Sequence, residues 1–203
     1  MPSRGVRGRG QYKEPAAPDT ANLPPLPAGW TWASGAQLFE WSSGEGLTQK
    51  NIQPGDYPVY GGNGVTGHHN AFVAELPTIV IGRVGALCGN VYLTKGRAWI
   101  TDNAIYATQT SSAVSMKFVE IVFTQAGLNK RAAGSGQPFV NQRMLNETIL
   151  PLPPLAEQMR IVAEVERRLS VVEELEQTVA ANLNRAIRLR QSILQRAFTG
   201  ELV

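Results

Sequence analysis

The sequence has only one cysteine and no long apolar run, and these two features exclude several classes of protein. With Cys88 alone among 203 residues, an intramolecular disulfide is impossible and a thiolate-rich zinc site is excluded. We expect Cys88 to be a small buried apolar side chain. No apolar run approaches the roughly 18 residues that a membrane span requires. The first ten residues are basic without a following apolar stretch, unlike a secretory signal, so a cytoplasmic protein is expected.

Residues that would form a catalytic centre are also missing. The phosphate-binding motif GxxxxGKS/T, the nucleophile motif GxSxG and the zinc motif HExxH do not occur. The segment Gly62–Gly67 matches GxGxxG, but no clear helix follows it and no acidic residue lies between Glu75 and Asp102. A dinucleotide fold is therefore not predicted, and we interpret this segment as a tight, exposed loop. The adjacent His68 and His69 would point to opposite sides of a strand, so no metal site is expected, and both are interpreted as polar loop residues.

Proline and glycine are confined almost entirely to the part of the chain before Leu155. All 13 prolines precede this residue, and of the 20 glycines only Gly200 follows it. The composition predicts a flexible Arg/Gly- and Pro-rich linker at 1–28, a compact β-rich domain at 29–154 and one long helix at 155–199. The predicted fold class is α+β, with a β-rich domain followed by a single long coiled-coil-forming α-helix.

Within the β-rich domain, hydrophobic patterns locate individual elements. Short β-branched or aromatic runs bounded by glycine predict strands at 78–81, 90–94 and 98–101. Apolar residues with helical spacing predict a helix over 117–129, which Asn129 would close. A second short helix is predicted at 141–147, followed by an extended exit at 148–154. Three tryptophans near the start of the domain are expected in the core or against the long helix: Trp30, Trp32 and Trp41.

The long helix has an apolar seam at seven-residue spacing, interrupted only at Glu176 and Arg190. The predicted contacts to a partner helix are made by Val162, Val165, Leu169, Val172, Val179, Leu183, Ala186 and Ile193. At 1.5 Å per residue the helix is roughly 65 Å long, which is more than a domain of about 120 residues can cover. This length favours a partner helix over the alternative, in which the whole stripe packs on the chain's own domain.

Charge along the helix indicates the direction of that partner. Residues 157–176 contain six Glu and three Arg, whereas residues 177–196 contain four Arg and no acid. A parallel pair would place like charges together, but an antiparallel pair would place the acidic half against the basic half. Glu176 would then lie near Arg190 of the partner. We therefore predict antiparallel pairing with a similar helix, in a second copy of this chain or in a longer partner.

Five short segments, in the order in which they occur, carry a family resemblance. They are Tyr57–Gly64, Thr78–Gly85, Thr101–Ala104, Gln137–Arg143 and Pro151–Gln158. Ahead of a long heptad helix, this series resembles the target-recognition domains of specificity subunits in type I restriction-modification systems. A full-length member of that family has two recognition domains and two long helices, alternating along one chain. This chain is similar to the C-terminal half, so we expect either a fragment of a split gene or a half-subunit that dimerises.

The resemblance implies a DNA-binding subunit that is not an enzyme. It implies that the chain reads one half of a bipartite target in double-stranded DNA and positions methyltransferase and restriction subunits. No cofactor is expected on this chain, because S-adenosylmethionine is expected on the methyltransferase, which methylates an adenine flipped from the duplex. The alternative is an assembly or regulatory half-subunit that docks through its helix without setting DNA specificity. The net charge of +3 is compatible with nucleic acid but does not require it.

Residue chemistry then selects the side chains suited to bind DNA. Lys and Arg contact phosphates, whereas Arg, Asn, Gln, Ser and Thr read base edges, and Asn or Gln suits adenine. Two small polar loops, 61–67 and 133–137, supply most of these groups. Arg83 has the alternative of pairing with Asp102, and the two basic residues before the second loop have the alternative of forming a solvated helix end. The candidate residues are Lys50, Gly62, Asn63, Thr66, His68, Arg83, Asn103, Lys130, Arg131, Ser135 and Gln137.

Overall fold

The computed structural model describes residues 15–131 and 138–201. Within these ranges the strands are β1 (Thr31–Ser34), β2 (Phe39–Ser43), β3 (Tyr57–Gly61), β4 (Gly64–His69), β5 (Ile79–Gly82), β6 (Val91–Leu93), β7 (Trp99–Ile100), β8 (Ala104–Thr110) and β9 (Ile149–Leu152). The helices are α1 (Gly35–Leu38), α2 (Met116–Gln125), α3 (Gln142–Glu147) and α4 (Leu155–Phe198), with 3-10 turns at Gln49–Asn51 and Leu128–Arg131. The fold is α+β, as the sequence predicts.

The strands form three small sheets that differ in strand direction. β2, β8, β5 and β6 lie side by side in that order, and each neighbouring pair is antiparallel. In the second sheet, β3 pairs antiparallel with β4 and parallel with β7. β1 and β9 form a two-stranded antiparallel ribbon that places Thr31 opposite Leu152, close in sequence to the start of α4. The runs predicted as strands at 78–81, 90–94 and 98–101 correspond to β5, β6 and β7.

β5 is buried on both faces, which explains its unbroken apolar sequence. Ile79 and Ile81 pack into the larger core, whereas Val80 packs into a smaller one, because successive side chains of a strand point to opposite faces. Cys88 is buried in the larger core, as expected. The same core holds three aromatic rings whose centroids lie 4.9 to 5.8 Å apart: Phe39, Trp41 and Phe123.

α2 is shorter than the sequence predicts. The predicted helix extends to Asn129, but α2 ends at Gln125. Gly127 has a φ of +59°, a left-handed conformation that ends a helix, and a 3-10 turn follows. α3 agrees with its prediction, because the side chain of Asn141 accepts a hydrogen bond from the backbone N–H of Met144 at 2.9 Å and caps the helix.

α4 is one unbroken helix of 44 residues, as predicted. The chain divides into two compact units between Met159 and Arg160, so the first residues of α4 belong to the globular unit. Every residue from Glu166 to Glu201 is exposed. None of the helices within the described ranges is long and apolar enough to cross a membrane.

The first turns of α4 are fixed to the globular unit by a buried glutamine. Gln158 is 0% exposed, and its side-chain nitrogen donates to the carbonyls of Ala113 at 2.8 Å and Pro153 at 2.9 Å. Its side-chain oxygen accepts from the backbone N–H of Ser115 at 2.8 Å. Because both ends of the amide are paired, this polar group is buried without an unsatisfied donor or acceptor.

Candidate nucleic-acid interface

The glycine-rich segment is the turn of a β-hairpin. Gly62 and Asn63 connect β3 to β4, so a strand rather than a helix follows, and the arrangement is not a dinucleotide fold. Gly64 has a φ of +89°, which residues with a side chain rarely adopt. At Gly62, a Cβ atom would lie 3.2 Å from the carbonyl oxygen of Asn103 and 3.3 Å from that of Val84. The missing side chain therefore lets the turn pack against two other segments.

Segments that are distant in the sequence meet around a groove of about 410 Å³. Four of the predicted DNA-binding residues line it together: Gly62, Asn63, Thr66 and Asn103. The rest of the lining consists of Leu47, Gln49, Ile52, Gly61, Val84 and Thr101. The fold thus brings together polar residues from the β3–β4 turn, from β4 and from the turn before β8.

Arg83 lies beside the groove, at the start of the β5–β6 loop. Its backbone N–H donates to the carbonyl of Asn103 at 2.9 Å, and its own carbonyl accepts from the N–H of Val140 at 2.8 Å. The side chain is exposed, and within residues 15–131 and 138–201 it forms no ion pair with Asp102. The alternative of an Arg83–Asp102 pair is therefore not observed, and the guanidinium is accessible to an anion.

The β5–β6 loop also contacts described residues on either side of the second predicted loop, 133–137. The N–H of Gly85 donates to the carbonyl of Pro138 at 3.2 Å. A Cβ atom at Gly89 would lie 2.6 Å from the backbone nitrogen of Asn129, so glycine is required for this close approach. Lys130 comes next in the chain and is exposed on the 3-10 turn. One loop therefore connects the groove with the turn that carries Lys130.

The remaining candidates differ in their relation to the groove. Lys50 is exposed on the 3-10 turn whose Gln49 lines the groove. His68 is exposed on β4 but is not part of the lining, so the structure does not bring it to the groove. Outside the described part of the chain lie the side chain of Arg131 and the whole of Ser135 and Gln137.

His69 has a structural role that its neighbour lacks. It lies on β4 rather than in a loop, and it is 7% exposed. Its Nδ1 accepts a hydrogen bond from the N–H of Gln53 at 3.0 Å, and its ring lies edge-on to that of Trp99 with centroids 5.1 Å apart. Among the described residues, no group of three His, Cys, Asp or Glu side chains could hold a metal ion.

The groove is neutral and has positive charge beside it. None of its ten lining residues is charged, whereas Lys50, Arg83 and the acidic Asp102 are exposed next to lining residues, which leaves a net positive charge there. Burial, and to a smaller extent the charge of Glu120, raises the pKa of Tyr60 on β3 above its ordinary value of 10.0. That phenol therefore stays protonated at neutral pH. The groove can therefore hydrogen-bond a neutral polar group, and the cations at its edge can bind an anion.

Sequence reasoning missed two polar residues of the groove, Gln49 and Thr101. Gln49 is adjacent to the candidate Lys50, and its carboxamide is of a type that reads bases, so residue chemistry alone gave a usable signal. Thr101 is 8% exposed, and its hydroxyl is buried without a hydrogen-bond partner in the described structure. Only the packing of the turns identifies Thr101 as part of the groove wall.

Comparisons with known proteins agree with the fold and identify the family. The family model for the type I restriction modification DNA specificity domain matches residues 27–185. A specificity subunit of a type I restriction enzyme from Escherichia coli, EcoprrI, is 28% identical over 136 residues, which is 64% of this chain and 34% of the relative. The chain thus matches about a third of the length of this curated relative.

Two solved structures share the architecture of a β-rich domain followed by a long helix. One chain from a type I restriction-modification system has a TM-score of 0.71 and 20% identity, covering 89% of this chain and 48% of that one. The S subunit of the type I system from M. genitalium has a TM-score of 0.59 and 22% identity, covering 93% of this chain and 50% of that one. This chain belongs to the family of type I restriction-modification specificity subunits.

Proposed function

We propose that this chain is the non-catalytic DNA sequence-recognition component of a type I restriction endonuclease and adenine methyltransferase complex. The observation that carries the proposal is the convergence of Gly62, Asn63, Thr66 and Asn103 on one groove beside the exposed side chain of Arg83. Hydrogen-bonding groups that distinguish bases and cations that contact phosphates are the two requirements of sequence-selective DNA binding. Membership of the specificity-subunit family supports the same function.

In this proposal, the domain at 29–154 reads one half of a bipartite target. A complete target needs a second recognition domain, in a second copy of this chain or in a longer specificity subunit. Two identical copies related by a twofold axis would read two identical half-sites. The target of such an assembly would be a symmetric palindrome interrupted by a gap.

α4 would supply the assembly contacts. Its predicted seam is exposed over most of its length, with 56% exposure at Leu169, 65% at Val179 and 61% at Leu183. An apolar stripe of this length on a charged helix is typical of a helix that pairs with another helix. The charge distribution favours an antiparallel partner, and the paired helices would position methyltransferase and restriction subunits. S-adenosylmethionine would be held by the methyltransferase and not by this chain.

The test compares the DNA binding of a type I methyltransferase subunit with and without the full chain, at one fixed salt concentration. The complex should bind a defined interrupted sequence about 10³-fold or more tightly than unrelated duplexes, whereas the methyltransferase alone should show no such preference. A complex that forms but binds all duplexes with equal affinity would contradict DNA recognition by this chain.

The second candidate function is that of an assembly half-subunit that does not set specificity. It is favoured by the weak charge of the globular part, since residues 20–155 contain eight basic and seven acidic side chains. This candidate predicts a stable complex through α4 with no change in DNA selectivity. The same comparison therefore distinguishes the two functions.

A further inference from the structure

The groove beside the β3–β4 turn presents three side-chain carboxamides. Gln49, Asn63 and Asn103 line it and are exposed. Within the described ranges, none of these three side chains hydrogen-bonds to the rest of the protein. Each therefore has both its NH₂ donors and its carbonyl acceptor available. Such a surface suits a partner that presents a donor and an acceptor side by side.

The hydroxyl of Thr101 adds an unsatisfied group to the same groove. Thr101 is 8% exposed, and its Oγ1 has no hydrogen-bond partner among the described residues. Buried polar atoms are nearly always hydrogen-bonded, so this hydroxyl is an exception in the wall of the groove. Gly61 leaves one side of it free of a side chain, since a Cβ atom there would lie 3.6 Å from the hydroxyl oxygen.

Positive charge lies beside the groove rather than in it. Lys50 adjoins Gln49 in the chain, and Arg83 adjoins Val84, while no lining residue is charged. The exposed Asp102 lies between Thr101 and Asn103, so two cations and one carboxylate flank the lining and their net charge is positive. A phosphate would be attracted to the two cations, and a neutral group would enter the groove. Duplex DNA offers this arrangement, because its base edges lie between two rows of phosphates.

We propose that the groove reads an A·T base pair, with Asn63 and Asn103 setting the preference for adenine and with Lys50 and Arg83 contacting the flanking phosphates. A carboxamide pairs with N6 and N7 of adenine at the same time, donating to N7 and accepting from N6. Guanine presents two acceptors at the same edge, which leaves the carbonyl oxygen of the carboxamide unpaired. The assignment rests on the proposed function, because it names the base that the same interface recognises.

The test is the selection of duplexes from a random library by the full chain bound to a type I methyltransferase subunit. Asn63→Ala and Asn103→Ala should each relax the preference at an A·T position about fivefold or more, while other positions keep theirs. Asn70→Ala is the matched control, since Asn70 is exposed at the end of the hairpin away from the turn and is absent from the groove lining. This control should select the wild-type consensus.

Two further variants make the test independent of any loss of folding at the turn. Asn103→Asp keeps the size of the side chain, but a carboxylate accepts from N4 of cytosine and cannot donate to N7 of adenine. The favoured base at that position should therefore change from adenine to cytosine. Lys50→Ala should weaken binding to all sequences alike and leave the consensus unchanged.

The possible outcomes separate this assignment from the proposed function. If the Asn63 and Asn103 variants are folded and keep the wild-type consensus, or if the position that relaxes is G·C, the groove does not read adenine, but DNA recognition by the chain stands. If the wild-type complex enriches no sequence at all, both the proposed function and this assignment are contradicted.

Discussion

Apolar side chains are buried in the β-rich domain and exposed along α4. In β5, Ile79, Val80 and Ile81 are each 0% exposed. On α4, Val179 is 65% exposed and Leu183 is 61% exposed. Both regions contain branched aliphatic residues at regular spacing, so the spacing by itself does not decide whether these residues are buried or exposed.

The difference teaches which region is complete without a partner. β5 lies between two cores of its own domain, whereas α4 beyond Met159 forms a separate unit. Complete burial of a valine, leucine or isoleucine side chain contributes about 1.5 to 3 kcal/mol, which the domain obtains from its own contacts. In the proposed function, α4 obtains the same contribution at its seam from another helix. In the proposed function the first region recognises DNA and the second assembles the complex.

The largest effect is expected from a charge in the seam of α4. Leu183→Glu would place a carboxylate in the predicted helix–helix contact, where an unpaired buried charge is strongly unfavourable. We expect association to weaken roughly 100-fold, or by about 2.7 kcal/mol, in sedimentation velocity. The melting temperature of the globular unit should not change.

Asn184→Glu is the control for this prediction, because it adds the same charge one residue away from the seam. It should associate like the wild type. If the Leu183 and Asn184 variants associate equally well, the prediction that the seam of α4 is buried against a partner helix is contradicted.

The next largest effect is expected at Gln158, where α4 is part of the globular unit. Gln158→Leu removes three hydrogen bonds and leaves the N–H of Ser115 without its partner. The free energy of unfolding should fall by about 3 kcal/mol in urea titrations. Gln177→Leu, at an exposed position of the same helix, should have little effect. A loss below about 1 kcal/mol for Gln158→Leu would show that the buried amide does not stabilise the unit.

A smaller effect is expected when one cation beside the groove is removed. Arg83→Ala should weaken DNA binding roughly three- to tenfold and reduce the slope of log K against log salt by about 1. Lys95→Ala removes another exposed cation, from the turn after β6, and should leave the slope unchanged. Equal slopes for Arg83→Ala and wild type would mean that Arg83 does not contact a phosphate.

The smallest effect is a pH dependence within α4. Hydrogen bonds of 2.6 to 2.9 Å from Arg167 and Arg168 lower the pKa of Glu164 from 4.5 to about 2. Because the pKa is lower in the folded chain, this stabilisation is fully present above pH 4.5 and is lost as the pH falls towards 2. The three side chains are 44% to 74% exposed, so helicity measured by circular dichroism should change only slightly in this range.

Glu164→Gln should remove that component of the acid transition. Glu173→Gln, which removes another exposed carboxylate of the same helix, should retain it. If wild type and Glu164→Gln lose helicity identically between pH 4.5 and about 2, the two arginines do not stabilise the carboxylate as the structure indicates.

Local sequence patterns were sufficient to predict those helices and strands whose extent depends on neighbouring residues in the chain. α4 follows from the absence of proline and glycine between Pro154 and Gly200, and β5 follows from a run of branched aliphatic residues. The predicted end of α2 was wrong because two nearby residues can each end a helix. Asn129 can close a helix, but Gly127, which reaches a positive φ at lower cost, comes first.

The groove could be predicted only in part, because it depends on contacts between distant turns. Residue chemistry selected Asn63 and Asn103, and the structure places both in the lining. The approach of the β3–β4 turn to the carbonyl of Val84 is a tertiary contact that no spacing in the sequence reveals. The same limit explains why Thr101 was missed and why His68, chosen for its position after the glycine-rich segment, is not in the lining.

The mass of the purified full chain in solution, alone and with a type I methyltransferase subunit, tests most directly whether α4 requires a partner. The exposed seam predicts a dimer of the chain alone, or a complex that contains two methyltransferase subunits. A stable monomer that binds neither itself nor the methyltransferase would contradict the partner helix and the function that depends on it.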